Sequence, residues 1–214
     1  MPARGRFITI EGGEGAGKST QLALLAAALE RAGIAVQRTR EPGGSAGAEA
    51  IRRLLLDGSD ERWDAVAEAL LLYAARRDHV ERLIAPALQR GFWVLCDRFA
   101  DSTLAYQGYG RGFPLSDLAA LHRLTLGDFA PDLTLILDLP ATEGLARAVR
   151  RANSPDRFER LDSAFHQRLR DGFRRIAAAE PQRCVLIDAA GDEASVHRAM
   201  LAAVGERYGT KLSP

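Results

Sequence analysis

The chain has 214 residues, of which 47% are hydrophobic and 27% charged, with 29 basic and 28 acidic side chains. This length predicts a single domain, residues 1–214, with a full hydrophobic core. The net charge of +1 creates no broad basic field, so neither nucleic-acid binding nor binding to a membrane surface is indicated.

The predicted strands and helices alternate along the chain. In order, they are strand Arg6–Glu11, helix Ser19–Ala32, strand Ala35–Thr39, helices Ala46–Asp57 and Trp63–Arg90, strand Trp93–Asp97, helix Leu115–Gly127, strand Leu133–Asp138, helices Glu143–Arg151 and Leu161–Glu180, strand Cys184–Asp188 and helix Glu193–Tyr208. Most strand candidates are short continuous apolar runs, which is typical of a parallel sheet covered on both faces. The alternation predicts an α/β fold with a doubly wound five-stranded parallel sheet flanked by helices, and ligands at the carboxyl ends of the strands.

A glycine-rich segment between the first strand and the first helix fits the pattern G-x-x-x-x-G-K-[ST]. Backbone N–H groups and a positive helix end converge there, which suits a polyphosphate. Lys18 would reach the β- and γ-phosphates, and the Ser19 hydroxyl would join a magnesium shell. A chance glycine-rich turn is the alternative, and the flanking strand and helix argue against it. The segment predicts a P-loop NTPase that binds a nucleoside triphosphate through Gly12, Gly13, Glu14, Gly15, Ala16, Gly17, Lys18, Ser19 and Thr20.

A phosphate loop alone does not separate a motor, a GTPase switch and a small-molecule kinase. The chain lacks the N-K-x-D sequence with which GTPases read guanine, and its length leaves little room for the further domains of large ATPases. A kinase for a small phosphate acceptor therefore fits best, and a non-catalytic nucleotide-dependent switch is the alternative from another class. A kinase requires a second basic pocket for its acceptor.

Two later blocks are candidates for that second pocket: T-R-E-P-G-G over residues 39–44 and D-R-F-A-D-S-T-L-A-Y-Q-G over residues 97–108. In these blocks the chain resembles the thymidylate kinase family, which phosphorylates dTMP to dTDP with ATP and magnesium in dTTP synthesis. The resemblance implies a nucleoside monophosphate kinase-like fold, Mg²⁺ as cofactor, and ATP and dTMP as substrates. A kinase for another nucleoside monophosphate or for a deoxynucleoside is the alternative.

The resemblance also implies roles around the acceptor phosphate. Arg98 would meet the acceptor 5′-phosphate as a planar, always-charged fork, whereas an ion pair with Asp97 or Asp101 is the alternative role. Asp97 would either orient a magnesium-bound water or hold Arg98 in place. Glu14 would touch the acceptor sugar and the metal shell, or remain an exposed loop acid. Further acceptor ligands would be Arg40, Glu41, Pro42 and Arg52, and Arg52 has a solvated helix face as its alternative.

The base, by the same resemblance, would be read by Arg76 through a hydrogen bond to a thymine carbonyl. Residues expected near the base and sugar are Ser102, Thr103, Tyr106 and Gln107, with the bulk of Tyr106 placed to exclude ribose. Many family members have phenylalanine at the position of Leu72, and this chain has Leu72 followed by Tyr73. Either Leu72 covers the base or Tyr73 swings in, and losing the aromatic stacking costs about 1 kcal/mol. Both residues packing in the core is a further alternative.

A basic segment at about residues 147–160 is interpreted as a lid that closes over the phosphates. It carries five arginines, and N-S-P at residues 153–155 interrupts its helical pattern. A solvated helix end is the alternative. Gly15 stands where some family members have a loop arginine, and members without that arginine supply one from the lid, which implies a catalytic role for Arg151 beside Lys18, Arg98 and Glu14. The lid residues in this interpretation are Arg150, Arg151, Asp156, Arg157 and Glu159. Arg150 and Arg157 are the other candidates for binding the phosphates. The two acids, Asp156 and Glu159, would order the lid, touch the acceptor sugar or pair with neighbouring arginines.

The compartment and the oligomeric state rest on weaker patterns. Cys96 and Cys184 each lie in an apolar strand, which favours buried thiols in a reducing compartment over a disulfide or a metal site. The N-terminus has no signal-peptide core, and no apolar run is long enough to span a bilayer, so the prediction is a cytoplasmic protein with no membrane partner. The amphipathic segment Trp63–Arg90 has surplus apolar surface, and related kinases dimerise through helices, so a homodimer is expected.

Overall fold

A five-stranded parallel sheet forms the centre of the computed structural model, which describes residues 4–57, 62–151 and 161–213, without the side chain of Arg151. The strands are β1 (Phe7–Gly12), β2 (Val36–Arg40), β3 (Trp93–Asp97), β4 (Leu133–Asp138) and β5 (Cys184–Asp188). All five predicted strands are confirmed, with β1 and β2 each displaced by one residue. The strand order is β2-β3-β1-β4-β5, so the winding reverses at β1. The loop after β1 therefore lies at the point where such sheets bind ligands.

Helices occupy the segments between the strands. Their bounds are α1 Lys18–Arg31, α2 Ala46–Leu56, α3 Ala65–His79, π1 Val80–Ile84, α4 Ala85–Gln89, α5 Ala100–Thr103, π2 Leu104–Gly110, α6 Leu115–Leu126, α7 Ala141–Arg151, α8 Ser163–Ala179 and α9 Glu193–Tyr208. The predicted helix Trp63–Arg90 is the continuous run of α3, π1 and α4. Within the described ranges, none of the helices is both long and apolar enough to cross a membrane.

The sequence analysis assigned no helix to the segment formed by α5 and π2. Ser102, Thr103 and Gly108 are weak helix formers, and they hide the helical pattern. Packing compensates: Tyr106 meets Phe165 of α8 edge-on, with ring centroids 6.1 Å apart. This helical segment matters because it carries the side chains that follow β3 into the site.

Strand β1 is buried on both faces because a separate layer of helices covers each face. Ile8 and Ile10 pack in a cluster with residues of α1 and α9, whereas Phe7 packs on the other side with π1, α4 and Phe99. Each fully buried aliphatic or aromatic side chain of this kind contributes about 1.5–3 kcal/mol to stability. The result is a rigid central strand from which the phosphate loop emerges.

Candidate active site

The loop between β1 and α1 packs tightly against the start of α7. A Cβ atom added at Gly15, where φ is +67°, would lie 2.0 Å from the carbonyl oxygen of Gly144. No side chain fits at that position without displacing α7. This close packing gives a physical reason why the loop carries glycine where some relatives of the family carry arginine.

Lys18 is the first residue of α1 and points back into the loop. Its Nζ donates hydrogen bonds to the carbonyl oxygens of Gly12, at 3.1 Å, and Gly13, at 2.7 Å. Burial and the nearby positive charge of Arg98 lower the pKa of Lys18 to about 8. A buried ammonium whose hydrogen bonds, within the described ranges, go to backbone carbonyls is placed to bind anionic phosphate oxygens.

Ser19 and Asp97 meet at the edge of the loop. The Ser19 hydroxyl, at the start of α1, donates to Asp97 Oδ2, at the end of β3, at 2.6 Å. A hydroxyl and a carboxylate side by side are hard oxygen donors of the kind that Mg²⁺ takes from a protein, with phosphates and water supplying the remaining ligands. The residues present therefore fit a magnesium site.

Arg98 directly follows β3 and, among the described residues, is the one non-glycine residue with positive φ, at 70°. Its Nη2 donates to Glu14 Oε1 at 2.9 Å, and its Nη1 donates to the Gly12 carbonyl at 3.1 Å and to Ser102 Oγ at 3.3 Å. A left-handed backbone at a bulky residue stores strain of about 1–3 kcal/mol, which is typical of functional positions. The turn aims the guanidinium back at the phosphate loop.

The ion pair that Arg98 forms is with Glu14, rather than with Asp97 or Asp101. Asp101 is held in two contacts by Arg183 Nη1 and Nη2, at 2.7 and 2.8 Å. The Tyr106 hydroxyl also donates to Glu14. Burial raises the pKa of Glu14, but attraction to Arg98 and Lys18 outweighs it and lowers the pKa to about 2. Glu14 is therefore a buried carboxylate, and not an exposed loop acid.

One cavity brings most of the predicted site residues together. Its lining includes the predicted residues Glu14, Gly15, Gly17, Lys18, Ser19, Arg40, Glu41, Pro42, Arg52, Leu72, Arg76, Asp97, Arg98, Ser102, Thr103, Tyr106 and Gln107. Of the predicted residues whose side chains the structure describes, those that do not line the cavity are Gly12, Gly13, Ala16, Thr20, Tyr73 and Arg150. The cavity thus runs from the phosphate loop, past Arg98, to a pocket between α3 and the α5–π2 segment.

The T-R-E-P-G-G block supplies one wall of this cavity. Arg40 is largely exposed and pairs with Glu49 at 3.0 Å. Arg52 lines the cavity and donates to the Pro42 carbonyl at 2.7 Å, so it steadies the loop instead of lying on a solvated face. Both arginines therefore line the cavity, and both already hold neighbouring groups.

Arg76 is almost completely buried at the far end of the cavity. Its Nε donates to Glu41 Oε2 at 2.7 Å, and its Nη2 donates to the carbonyl oxygen of Phe99 at 3.2 Å and to Thr103 Oγ1 at 2.9 Å. Its Nη1 is buried and has no hydrogen-bond partner in the part of the chain that the structure describes. Glu41, predicted as an acceptor ligand, acts here as the counter-charge that fixes Arg76.

The structure distinguishes Leu72 from Tyr73. Leu72 lines the cavity. Tyr73 is 1% exposed, packs with Ala69 and Leu118, and its hydroxyl donates to the Leu118 carbonyl at 3.2 Å. Tyr73 is therefore a core residue in this arrangement, and Leu72 is the one of the two that lines the cavity.

Gln107 completes the pocket and reveals a residue that sequence reasoning missed. Its Nε2 donates to Glu68 Oε1 at 2.6 Å, and its Oε1 is buried without a hydrogen-bond partner among the described residues. Glu68 lies on α3 at helical spacing from Leu72 and Arg76. That spacing was the available signal, but a glutamate on an amphipathic helix usually indicates a solvated face.

Glu11 is a second residue that sequence reasoning did not include among the site residues. Its carboxylate accepts hydrogen bonds from the backbone N–H of Phe99, at 2.7 Å, and from the Ser102 hydroxyl, at 2.6 Å. Burial, followed by repulsion from Asp101, raises the pKa of Glu11 to about 8. Glu11 therefore anchors the backbone immediately after Arg98, and its position at the end of a strand was the only signal for it.

The lid interpretation is only partly covered by the described residues. Helix α7 ends at Arg151, and Arg150 on it is exposed. Arg147 donates to the carbonyl oxygen of Ala189 at 3.2 Å, which ties α7 to the loop after β5. The side chain of Arg151 lies outside the described part of the chain, as do Asp156, Arg157 and Glu159.

Comparisons with known proteins agree with this geometry. The family model for thymidylate kinase matches residues 10–200. The thymidylate kinase of Caulobacter vibrioides is 57% identical over 206 residues, covering 96% of this chain and 99% of the relative, and that of Rhodopseudomonas palustris is 62% identical over 189 residues, covering 87% and 82%. The crystal structure of thymidylate kinase from Ehrlichia chaffeensis superposes with a TM-score of 0.75 at 36% identity, covering 95% of this chain and 99% of that one. The chain belongs to the thymidylate kinase family.

Proposed function

We propose that this chain transfers the γ-phosphoryl group of ATP to the 5′-phosphate of dTMP, forming dTDP and ADP. The observation that carries the proposal is one continuous cavity that joins Lys18 of the phosphate loop to Arg98 and then to Arg76. Such a cavity brings an acceptor nucleotide up to the phosphate end of a donor nucleotide. A nucleotide-dependent switch needs only the first of these sites, so the second site favours the kinase.

In the proposed reaction, catalysis comes from positioning and charge. The second pKa of a phosphate monoester is about 6, so the acceptor oxygen is already anionic at neutral pH and needs no strong general base. Lys18 exchanges its contacts with loop carbonyls for phosphate oxygens, and Arg98 exchanges part of its contact with Glu14 for the acceptor phosphate. An arginine of the lid, Arg151 in our proposal, adds a further cation to the transferring group.

Mg²⁺ is the cofactor in this proposal, and Ser19 and Asp97 are the residues that would hold it. When bound, the ion supplies charge neutralisation of the phosphate oxygens and helps to align the two nucleotides. Asp97 supplies a carboxylate oxygen, and the Ser19 hydroxyl accompanies it at the start of α1. Asp97 therefore serves the metal in the proposed mechanism, because Arg98 already has Glu14 as its partner.

Base selection in this proposal depends on one donor and one acceptor. Arg76 Nη1 donates to a carbonyl of thymine, and Gln107 Oε1 accepts from the base N3–H. Both atoms are buried and lack partners within the described ranges, so a matching base satisfies them and a mismatched one leaves them unpaired. Leu72 covers the base face, and Tyr106, fixed by its bond to Glu14, lies under the sugar.

An acceptor panel tests this proposal. With ATP and Mg²⁺, we expect kcat/KM for dTMP to exceed that for dCMP, CMP, AMP and GMP by about 100-fold or more, because these bases mismatch buried hydrogen-bonding groups. Removing Mg²⁺ with EDTA is expected to lower turnover more than about 100-fold. A coupled ADP-release assay measures both effects. A preference for another monophosphate contradicts the base-pocket assignment, and ATP binding without any turnover revives the switch.

A homodimer is the second part of the proposal. Within the described ranges, five of the seven exposed large hydrophobic residues lie on the neighbouring helices α2, α3 and α6: they are Leu54, Val66, Leu70, Leu115 and Leu124. Val66 and Leu70 are one helical turn apart and about half exposed. Exposed apolar residues concentrated on adjacent helices are typical of a protein interaction site.

We expect Leu70→Glu to convert the dimer into a monomer, because it places a charge in an apolar contact. Sedimentation equilibrium at micromolar concentration measures the change. Leu186→Glu is the matched control, since Leu186 is exposed at the β5 edge and away from these helices. A monomeric parent protein, or a dimeric Leu70→Glu variant, contradicts the proposed interface.

The proposed compartment is the cytoplasm. Cys96 and Cys184 are both free and buried. Burial raises the pKa of the Cys184 thiol to about 12, so that thiol remains protonated and unreactive. Free thiols and a nucleotide substrate pair both suit a reducing, ATP-containing compartment.

A further inference from the structure

We infer that Glu68 sets the hydrogen-bonding polarity of the base pocket by fixing the amide of Gln107. The Glu68 carboxylate accepts a hydrogen bond from the amide nitrogen of Gln107, so the amide oxygen faces the base of the bound monophosphate. The pocket therefore selects a pyrimidine that carries N3–H. This inference rests on the proposed reading of the base by Gln107. Glu68 itself does not line the cavity, so it is a positioning residue.

The contact between the two side chains is short and fully buried. Gln107 Nε2 lies 2.6 Å from Glu68 Oε1, Glu68 is 0% exposed and Gln107 is 1% exposed. A buried hydrogen bond to a charged acceptor is stronger than one between neutral groups. The amide of Gln107 is consequently held in one place by a group from a different helix.

Arg111 is the charged partner of Glu68 at the end of π2. Its Nε lies 3.7 Å from Glu68 Oε1, and the Arg111 side chain is mostly buried at the end of π2. An ionised carboxylate has only acceptors, so it cannot donate to the Gln107 amide. Paired with a guanidinium on one side, Glu68 accepts a hydrogen bond from the Gln107 amide on the other.

The acceptor character of Glu68 determines which end of the amide faces away from it. The reverse orientation would put two oxygen atoms 2.6 Å apart, which is repulsive. Among the described residues, the amide oxygen of Gln107 has no hydrogen-bond partner, and neither does Nη1 of Arg76. The pocket therefore offers a donor and an acceptor together.

This pair discriminates between pyrimidines. Thymine and uracil present a carbonyl beside N3–H, which matches a donor beside an acceptor. Cytosine presents an amino group beside an unprotonated N3, so both positions are mismatched. A site built to hydrogen-bond one pattern rejects the opposite pattern strongly, since its buried groups remain unpaired. Glu68 thus determines the selection for N3–H without touching the base, because it acts through Gln107.

The first test is Glu68→Gln, which replaces the obligate acceptor by an amide that can accept or donate. Gln107 is then free to turn its nitrogen towards the base. We expect the ratio of kcat/KM for dTMP to that for dCMP to fall about 10- to 100-fold, with the KM for ATP unchanged. A merely structural role for Glu68 would alter stability or the KM for both substrates, and would leave this ratio intact.

A double variant and a deletion of the amide complete the experiment. In E68Q/Q107E the carboxylate and the amide exchange places, so an acceptor again faces the base, and the ratio is expected to return towards the parent value. This variant also restores a carboxylate to the pair if E68Q alone fails to fold. Q107L is expected to lower kcat/KM for dTMP about 10-fold or more.

The outcomes separate the inference from the function on which it rests. An unchanged ratio in E68Q with reduced dTMP activity in Q107L overturns the role of Glu68 and leaves base reading by Gln107 standing. Full dTMP activity in Q107L overturns base reading by Gln107, and the inference with it. If E68Q does not fold, an E68Q/Q107E protein that is active but has lost the parent ratio also overturns the inference. Recovery of the ratio in the double variant supports it.

Discussion

Replacing Lys18 by methionine should lower kcat by about 10³-fold or more while leaving the fold intact. Lys18 is the buried cation of the phosphate loop, and in the described part of the chain it donates its hydrogen bonds to the carbonyls of Gly12 and Gly13. Removing one preorganised group that stabilises the transferring phosphoryl costs about 10²–10³-fold, and a complete cation costs more. Methionine keeps the length and apolar stem of the side chain, so the loss is one of charge.

Although the same substitution lowers kcat, we do not expect it to destabilise the protein without nucleotide. Burial and Arg98 lower the pKa of Lys18 from 10.5 to about 8, so between these values the unfolded chain binds more protons than the folded one. The free energy of unfolding of the parent protein should therefore rise from pH 8 to pH 10.5, and the Lys18→Met variant should lack this rise. At pH 7 the ligand-free variant should melt at an equal or higher temperature.

The second lysine of the chain provides a matched control for this prediction. Lys211 is the only other lysine in the chain, and it is exposed near the C-terminus. Lys211→Met should leave kcat, the melting temperature and its pH dependence unchanged. Stopped assays of ADP formation and thermal melts from pH 7 to pH 10.5, with and without ATP, measure these effects. A Lys18→Met enzyme that retains a tenth of parental kcat would falsify the assignment of Lys18 to phosphate binding.

The fold was largely predictable because most of its strands are visible in the sequence as short apolar runs. Continuous apolar runs such as those of β3 and β4 have no other explanation in a chain of this length, since both faces of each strand are covered. The α5–π2 segment was not predictable in the same way. Its helical form depends on α8, which lies more than 50 residues further along the chain. No local pattern reports such a contact.

The site was predictable where a motif fixes a backbone and less so where partners are chosen by packing. The phosphate loop and the cavity-lining residues follow from local sequence blocks. The choice of Glu14 over Asp97 or Asp101 as the partner of Arg98 does not, because the left-handed turn at Arg98 redirects its side chain. Residues that act from behind the cavity, such as Glu68 and Glu11, are acids whose burial is set by distant contacts.

Two substitutions of Arg98 should separate the contribution of its positive charge to catalysis from that of its forked guanidinium. Arg98→Ala is expected to lower kcat/KM for dTMP by about 10³–10⁴-fold, and Arg98→Lys by about 10²–10³-fold, although lysine retains the positive charge. The guanidinium uses Nη1 and Nη2 on different partners at once, namely Gly12, Ser102 and Glu14. A lysine ammonium is a single point charge and cannot span the same groups.

The geometry around Arg98 makes this a sharp comparison. Lysine tolerates positive φ no better and no worse than arginine, so the backbone strain is the same in the parent and in Arg98→Lys. Attraction to Tyr106, Glu14, Asp97 and Glu11 outweighs the effect of burial and raises the pKa of Arg98, so the parent side chain stays charged throughout the assay range. A loss of activity in Arg98→Lys therefore reports the missing fork.

Steady-state kinetics with dTMP and ATP varied separately provide the measurement. Because Arg98 serves the acceptor, its loss should act on kcat and on the KM for dTMP and leave the KM for ATP within about 3-fold. Arg82→Lys is the control, since the Arg82 side chain is 78% exposed and does not line the cavity. Near-parental dTMP turnover in Arg98→Lys would mean that charge alone suffices, and the bidentate role proposed for this arginine would have to be given up. A loss confined to the KM for ATP would instead move Arg98 to the donor side of the cavity.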